Sequence, residues 1–384
     1  MKAIVNGKII LKDCIKEDCV LLYGEKIMDI VPKKEIDSFE EFEEVIDAQG
    51  NYVAPGLIDV HIHGSGGSDV MDGTFEALNN ISKAIVKNGV TSFLPTTMTM
   101  SKEHVVKAFE KIKEAMNKKL DGAKIQGAHM EGPFINPKFK GAQNEKYIMS
   151  PDYELIEPYL DILKIITMAP EMDEDNEFIN KFKGNKNIRL SMGHTNASFE
   201  EAMNAIDNGV TYATHTFNAM TGLHHREPGV VGAVFSRNIN CELIADTIHV
   251  HPGFFQAFID INKKDKVILI TDSMRAGCLK SGEYDLGGQK VLVDDSSARL
   301  EDGTLAGSIL KLNEAVRNVR NNTNFELFDL VNMASLNQAK AIGLDDKIGS
   351  IEKGKIADLV IFDEDINAIK TIIDGKIVYE VKTK

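Results

Sequence analysis

PGLIDVHIHG, residues 55–64, is apolar for most of its length and then closes on two imidazoles, His61 and His63. Residues i and i+2 of a strand face the same way, so the two rings project together if the run is extended. The same form, a β-like run ending on a metal-type ligand, recurs four times further along. HME ends on Glu131, RLSMGH on His194, TYATH on His215 and VILITD on Asp272. Such distant stretches meet only in a closed fold. A ring of parallel strands brings them together, because every strand delivers its C-terminal residue to one face.

Working outward, residues 54–348 alternate short β runs with helical patterns. Eight runs are expected as strands: Leu57–His63, Val90–Thr96, Lys124–Glu131, Leu163–Met168, Ile188–His194, Val210–Thr216, Cys241–His249 and Val267–Asp272. After Ser101, read as an N-cap, Val105, Phe109, Ile112 and Met116 recur at helical spacing until Asp121-Gly122. Eight strands interleaved with helices predict an α/β protein, a (β/α)8 TIM-like barrel. An open doubly wound sheet competes, but its glycine-rich nucleotide turn is missing. Residues 1–53 and 349–384 are β in character, with turns at Asn6-Gly7, Gly24-Glu25 and Asp374-Gly375. They predict one small β-sandwich domain built from both termini, with a solvated acidic stretch from Glu40 to Glu44.

A net charge of −14 argues against nucleic acid or an anionic membrane as partner. It also demands that positive groups be concentrated wherever an anionic substrate binds. No run approaches the eighteen apolar residues of a membrane span, and the start of the chain reads as strands and not as a signal peptide. The four cysteines form no CxxC pair and are expected as buried thiols in a reducing cytoplasm.

Each candidate ligand has an ordinary alternative. A lone His at a strand end is more often a satisfied core or loop residue, and Asp272 alone could be a helix cap. Gly64, Gly66 and Gly67 read as a tight turn with free N–H groups, or as a plain loop. His129, two residues before Glu131, is expected one layer deeper, in a supporting or core position. Taken together, four imidazoles and two carboxylates at the ends of five strands point to a metal centre. Nitrogen and oxygen donors without thiolate suit Zn²⁺ or Fe²⁺. Such an ion activates water, and Asp272 could carry the proton from it to a leaving amine.

PGLIDVHIHG, HMEGPF, SMGHTNA, THTFNAMTGLHHREPG, ITDSM and GKIADLVIFD resemble the amidohydrolase superfamily and, within it, the N-acetylglucosamine-6-phosphate deacetylases. The resemblance runs from about Gly7 to Val378. It implies that Glu131, His194 and His215 hold the shared metal and that Asp272 is the catalytic acid/base. It further implies substrate contacts from Asn218, Ala219, His225, Arg226 and His249, and a sugar pocket lined by Leu305, Ala306 and Gly307. Gln143, beside Ala142 in KGAQNE, stands where some members carry a His that polarises the acetyl carbonyl.

Some members lack the His-x-His pair and use one ion. This chain keeps it, so a second ion on His61 and His63 is expected. The fourth run ends ITMAP without a Lys, so bridging would fall to Glu131. The resemblance also implies a homodimer and the conversion of N-acetylglucosamine 6-phosphate to glucosamine 6-phosphate and acetate. The rivals are N-acetylgalactosamine 6-phosphate, an N-acyl amino acid, or a non-catalytic scaffold.

Overall fold

The computed structural model describes residues 1–36, 38 and 41–381. Eight parallel strands follow one another around a ring. They are β1 (Leu57–Ile62), β2 (Val90–Thr97), β3 (Ala128–Glu131), β4 (Leu163–Met168), β5 (Arg189–Met192), β6 (Val210–Ala213), β7 (Asn240–Ile244) and β8 (Val267–Ile270). Each pairs with the next in parallel register. The ring closes at its rim, where Ile62 and Ser273 form a parallel bridge and Asp272 N donates to His61 O at 2.9 Å. The barrel expected from the eight runs is therefore present.

Every residue of β1, β2 and β8 is buried, because helices cover the outside of the ring while side chains fill the inside. That is why these strands read as continuous apolar runs instead of alternating ones. All runs but the second and fourth were read too long, the third and the seventh by most. The third breaks at Gln126-Gly127, where Gly127 has φ +142°, leaving Lys124–Ile125 as a separate short strand. The seventh stops at Ile244, because the Asp246 carboxylate accepts from Ile248 N and His249 N at 2.9 and 2.8 Å and turns the chain.

Helices α1 (Phe75–Ile85) and α2 (Lys102–Met116) pack against each other beside β2. Val105, Phe109 and Ile112 of α2 are buried, but Met116 is 37% exposed and α2 ends there, short of Asp121-Gly122. Ser101 occupies the N-cap position, yet its hydroxyl pairs with His104 Nδ1 at 2.9 Å and not with a backbone N–H.

The two termini share a six-stranded sheet, in which Tyr52–Pro55 lies antiparallel to Leu359–Phe362. A four-stranded sheet faces it, and Ile4, Leu21, Tyr23, Val53, Leu359 and Ile372 form a common core. Gly24-Glu25 and Asp374-Gly375 lie between paired strands, as expected. Asn6-Gly7 does not. Lys2–Val5 belongs to the four-stranded sheet and Lys8–Ile10 to the six-stranded one, so the chain crosses between layers there. A Cβ on Gly7 would sit 2.6 Å from Val53 Cγ2, which explains the glycine at that crossing. Of the acidic stretch, Glu40 lies outside the described residues, and Glu44 opens a strand, Glu44–Asp47.

A three-stranded antiparallel sheet follows β8: Gly282–Leu286, Gln289–Val293 and Ala298–Leu300. It is absent from the sequence-based expectation and covers one side of the barrel mouth. Among the described residues no helix is long and apolar enough to cross a membrane. The cysteines are all unpaired, but only Cys241 is buried and Cys278 is exposed, against the expectation of buried thiols.

Candidate metal centre and catalytic cavity

The rim of the barrel holds three of the candidate ligand residues in unusual backbone. His194, His215 and Asp272 sit just past β5, β6 and β8 with φ of +50°, +28° and +49°. Left-handed backbone in non-glycine residues costs about 1–3 kcal/mol each and clusters at functional sites. Here it turns the chain off the strand and swings each side chain over the barrel axis. Gly307 meets the same rim from the other side. Its φ is +60°, and an added Cβ would lie 2.9 Å from Asp272 O.

The candidate ligand side chains converge. Glu131 Oε1 lies 3.1 Å from His194 Nε2, 2.9 Å from His215 Nε2 and 3.5 Å from His61 Nε2. Its other oxygen, Oε2, lies 3.2 Å from His63 Nε2. Asp272 Oδ1 is 3.2 Å from His63 Nε2 and 3.5 Å from His61 Nε2. Two trios result, Glu131/His194/His215 and His61/His63/Asp272, each with its donor atoms within 4.8 Å of one another. Glu131 touches both.

The far side of each imidazole decides what the near side offers. Nδ1 faces Phe139 O in His194 (2.9 Å), Asn218 O in His215 (3.1 Å), Thr96 O in His63 (3.2 Å) and Glu242 Oε2 in His61 (2.9 Å). All four partners are pure acceptors, so each ring carries a proton on Nδ1 and leaves Nε2 as the nitrogen that faces inward. Nε2 atoms facing each other at 3.1 Å (His194–His215) and 3.3 Å (His61–His63) require positive charge between them, as a proton or a cation. The residues therefore fit a divalent cation bound by nitrogen and oxygen.

Electrostatics agree. Burial would lower the His63 pKa, but Asp272 and Glu131 overcome it and raise it to about 10. His61 is likewise raised, by Glu242, Glu131 and Asp272 against its burial. Burial would raise Asp272, yet His61 and His63 bring it down to about 2, so it is ionised at neutral pH. The cluster strongly favours positive charge.

His129 is different. Its Nδ1 faces Val60 O at 3.0 Å and its Nε2 faces Thr167 Oγ1 at 2.7 Å, so neither nitrogen is free for a metal. Burial and the charge of His61 hold it neutral. It sits one layer down, in a hydrogen-bonded chain through Thr167, Thr214 and Ser191 that supports the ligands from below.

A cavity of about 500 Å³ opens above the ligands. Of the expected substrate residues, Ala142, Gln143, Asn218, Ala219, His249, Leu305 and Gly307 line it. Ala306 is fully buried and does not line it. His225 and Arg226 are exposed, pair with each other at 2.7 Å and do not line it. Gln143 donates to Glu131 Oε2 at 2.7 Å and accepts from Thr99 N at 2.6 Å, so it anchors Glu131. His249 Nδ1 is held by Asp246 Oδ2 at 2.6 Å, which leaves Nε2 for the cavity. The glycine turn has no free donors: Gly64, Gly66 and Gly67 N–H donate to Ser273, Gly277 and Arg275 carbonyls.

Three residues were missed in the sequence. Lys138 and Arg299 both line the cavity, and Glu242 lies fully buried beneath it. The strand carrying Arg299 follows Leu286-Gly287-Gly288-Gln289, a hairpin signature that could have revealed the extra sheet. A larger cleft of about 1350 Å³ lies on the other side of Asp246, but none of the metal-type groups lines it.

Residues 52–378 match the amidohydrolase family. The chain is 43% identical over 349 residues to N-acetylglucosamine-6-phosphate deacetylase of Bacillus subtilis (strain 168), covering 88% of each. It is 33% identical over 338 residues to N-acetylgalactosamine-6-phosphate deacetylase of Escherichia coli O157:H7, covering 87% of this chain and 89% of that one. The fold matches the crystal structure of N-acetylglucosamine-6-phosphate deacetylase from Pasteurella multocida with a TM-score of 0.92 at 32% identity, covering 98% and 99%.

Proposed function

The chain belongs to the amidohydrolase family, and from that premise we propose that it hydrolyses the acetamide of N-acetylglucosamine 6-phosphate to glucosamine 6-phosphate and acetate. One observation carries the reading: at five strand ends four imidazole Nε2 atoms and two carboxylates form two adjoining trios at the floor of a sugar-sized cavity. A divalent ion, Zn²⁺ or Fe²⁺, held there supplies a water of pKa about 7 and a Lewis acid for the acetyl oxygen.

The chain's own residues do the rest. Asp272, ionised and facing the ligand pair, takes the proton of the attacking water and returns it to the leaving amine nitrogen. Gln143, the carbonyls behind His63, His194 and His215, and the Glu242 carboxylate behind His61 keep the ligands from rotating. Ala219 offers its backbone N–H to the sugar, Asn218 lines the wall with both backbone groups held by His215, and His249 presents Nε2.

The phosphate needs positive charge, and Lys138 and Arg299 provide it within the single chain. Arg299 is tied at Nε to Ser297 Oγ (3.3 Å) and at Nη1 to Gly303 O (2.9 Å), which leaves Nη2 available. The exposed His225 and Arg226 support a homodimer in which they serve the neighbouring subunit's cavity. The unpaired cysteines support a cytoplasmic setting. The galactosamine epimer is the second reading, favoured by the relative from Escherichia coli, but the higher identity lies with the glucosamine enzyme.

Acetate release from the two N-acetylhexosamine 6-phosphates tests the proposal. A kcat/KM at least tenfold higher for the gluco epimer is expected. The reverse preference assigns the enzyme to the epimer, and no release from either rejects the reading.

A further inference from the structure

Glu242 is a carboxylate in the interior of a barrel strand, with no exposed surface. Burying an ionised carboxylate is costly unless hydrogen bonds and charges offset it. Its two bonds are informative. Oε2 accepts from His61 Nδ1 at 2.9 Å and from the His215 backbone N–H, also at 2.9 Å. His61 belongs to one trio of donors and His215 to the other, so Glu242 joins the two trios from below as Glu131 joins them from above. Its second oxygen makes no hydrogen bond. The Tyr212 hydroxyl lies near enough to feel its charge but outside bonding geometry, and burial holds that phenol protonated.

Distance alone groups His61, His129 and Glu242 as a third set of donors. It is not a third metal site, because both His129 nitrogens are already engaged. The acceptor at His61 Nδ1 instead fixes the tautomer whose Nε2 lone pair faces His63, Asp272 and Glu131. The other three imidazoles rest on neutral backbone carbonyls; only His61 rests on a carboxylate. A carboxylate partner makes a ligating imidazole more electron-rich and orients it more firmly.

We propose that Glu242 is the positioning residue that makes His61 a ligand and so equips the His61/His63/Asp272 trio for a second cation. The inference rests on the metal-centre reading above and extends it.

The test counts ions in the full-length protein. Wild type, E242L and E242Q are loaded with Zn²⁺, their metal content is measured, and each ion's affinity is read by competition with a chromophoric chelator. Wild type is expected to hold two ions per chain. E242L should hold one, the ion at Glu131, His194 and His215, with its affinity little changed. E242Q keeps an acceptor but not the charge, and should hold the second ion about 10–100-fold more weakly. A purely structural role would lower both affinities together and overturns the proposal. So does a wild type with one ion, or an E242L protein that keeps two at full affinity. If E242L does not fold, E242Q decides, and an unweakened second ion rejects the idea. A wild type that binds no ion sinks the metal-centre reading itself, a different result.

Discussion

Asp272 and Glu131 are buried carboxylates one contact apart, yet their surroundings separate their tasks. Glu131 has both oxygens committed, to two imidazoles and to the Gln143 amide. Asp272 faces the imidazole pair with one oxygen and lines the cavity. The Asp272→Asn variant should therefore lose about 10²- to 10⁴-fold in kcat while KM changes little. Steady-state acetate release measures both, and an Asn variant with near-wild-type kcat removes Asp272 from the proton path. Arg299→Gln should raise KM for the 6-phosphate at least tenfold and leave N-acetylglucosamine itself unaffected; equal losses on both sugars would show that Arg299 does not read the phosphate. The candidate ligands were legible because each is a polar residue ending a β-like run. Glu242 was not, since a single Glu in CELIADT looks like ordinary strand alternation. Arg226 drew notice as part of a basic cluster, but one chain alone leaves it outside its own cavity.

At the level of elements, strand order came through in the sequence better than strand ends. The barrel strands were visible as apolar runs because most of their residues are buried, β1, β2, β3 and β8 throughout. Their ends were blurred where a side chain turns the backbone, as Asp246 does after β7. The added three-stranded sheet escaped notice because it lies between β8 and the 305–307 loop, a span where a barrel reading expects a helix. Gly307 shows how tightly that loop is fitted: Gly307→Ala must strain a φ of +60° and press on Asp272 O. It should cost at least about 1 kcal/mol in denaturant unfolding and lower kcat as Asp272 shifts; full stability and activity would mean the loop is slack. Phe109 of α2 is wholly buried and packs on the Tyr159 ring at 5.2 Å. Phe109→Ala should cost about 3–5 kcal/mol and leave metal content unchanged, since α2 holds no ligand.

Across the whole molecule, a chain of net charge −14 still sets two cations, Lys138 and Arg299, at the mouth above its carboxylates. Lys138 arrives from the loop after β3 and Arg299 from the added sheet, so the cationic mouth exists only when the barrel and its cover are assembled. The two termini meet in one sheet beneath this arrangement, which the matching β character of both ends announced. How the two sheets stack was not announced, because a crossing at Asn6-Gly7 and a hairpin there look alike in sequence. The central claim is that residues scattered from His61 to Asp272 act as one cation-dependent centre. It is tested most directly by following acetate release from N-acetylglucosamine 6-phosphate with protein stripped by a chelator and then reloaded. Turnover should vanish on stripping and return with Zn²⁺ or Fe²⁺. A stripped protein, shown to be free of metal, that releases acetate at the original rate would contradict it.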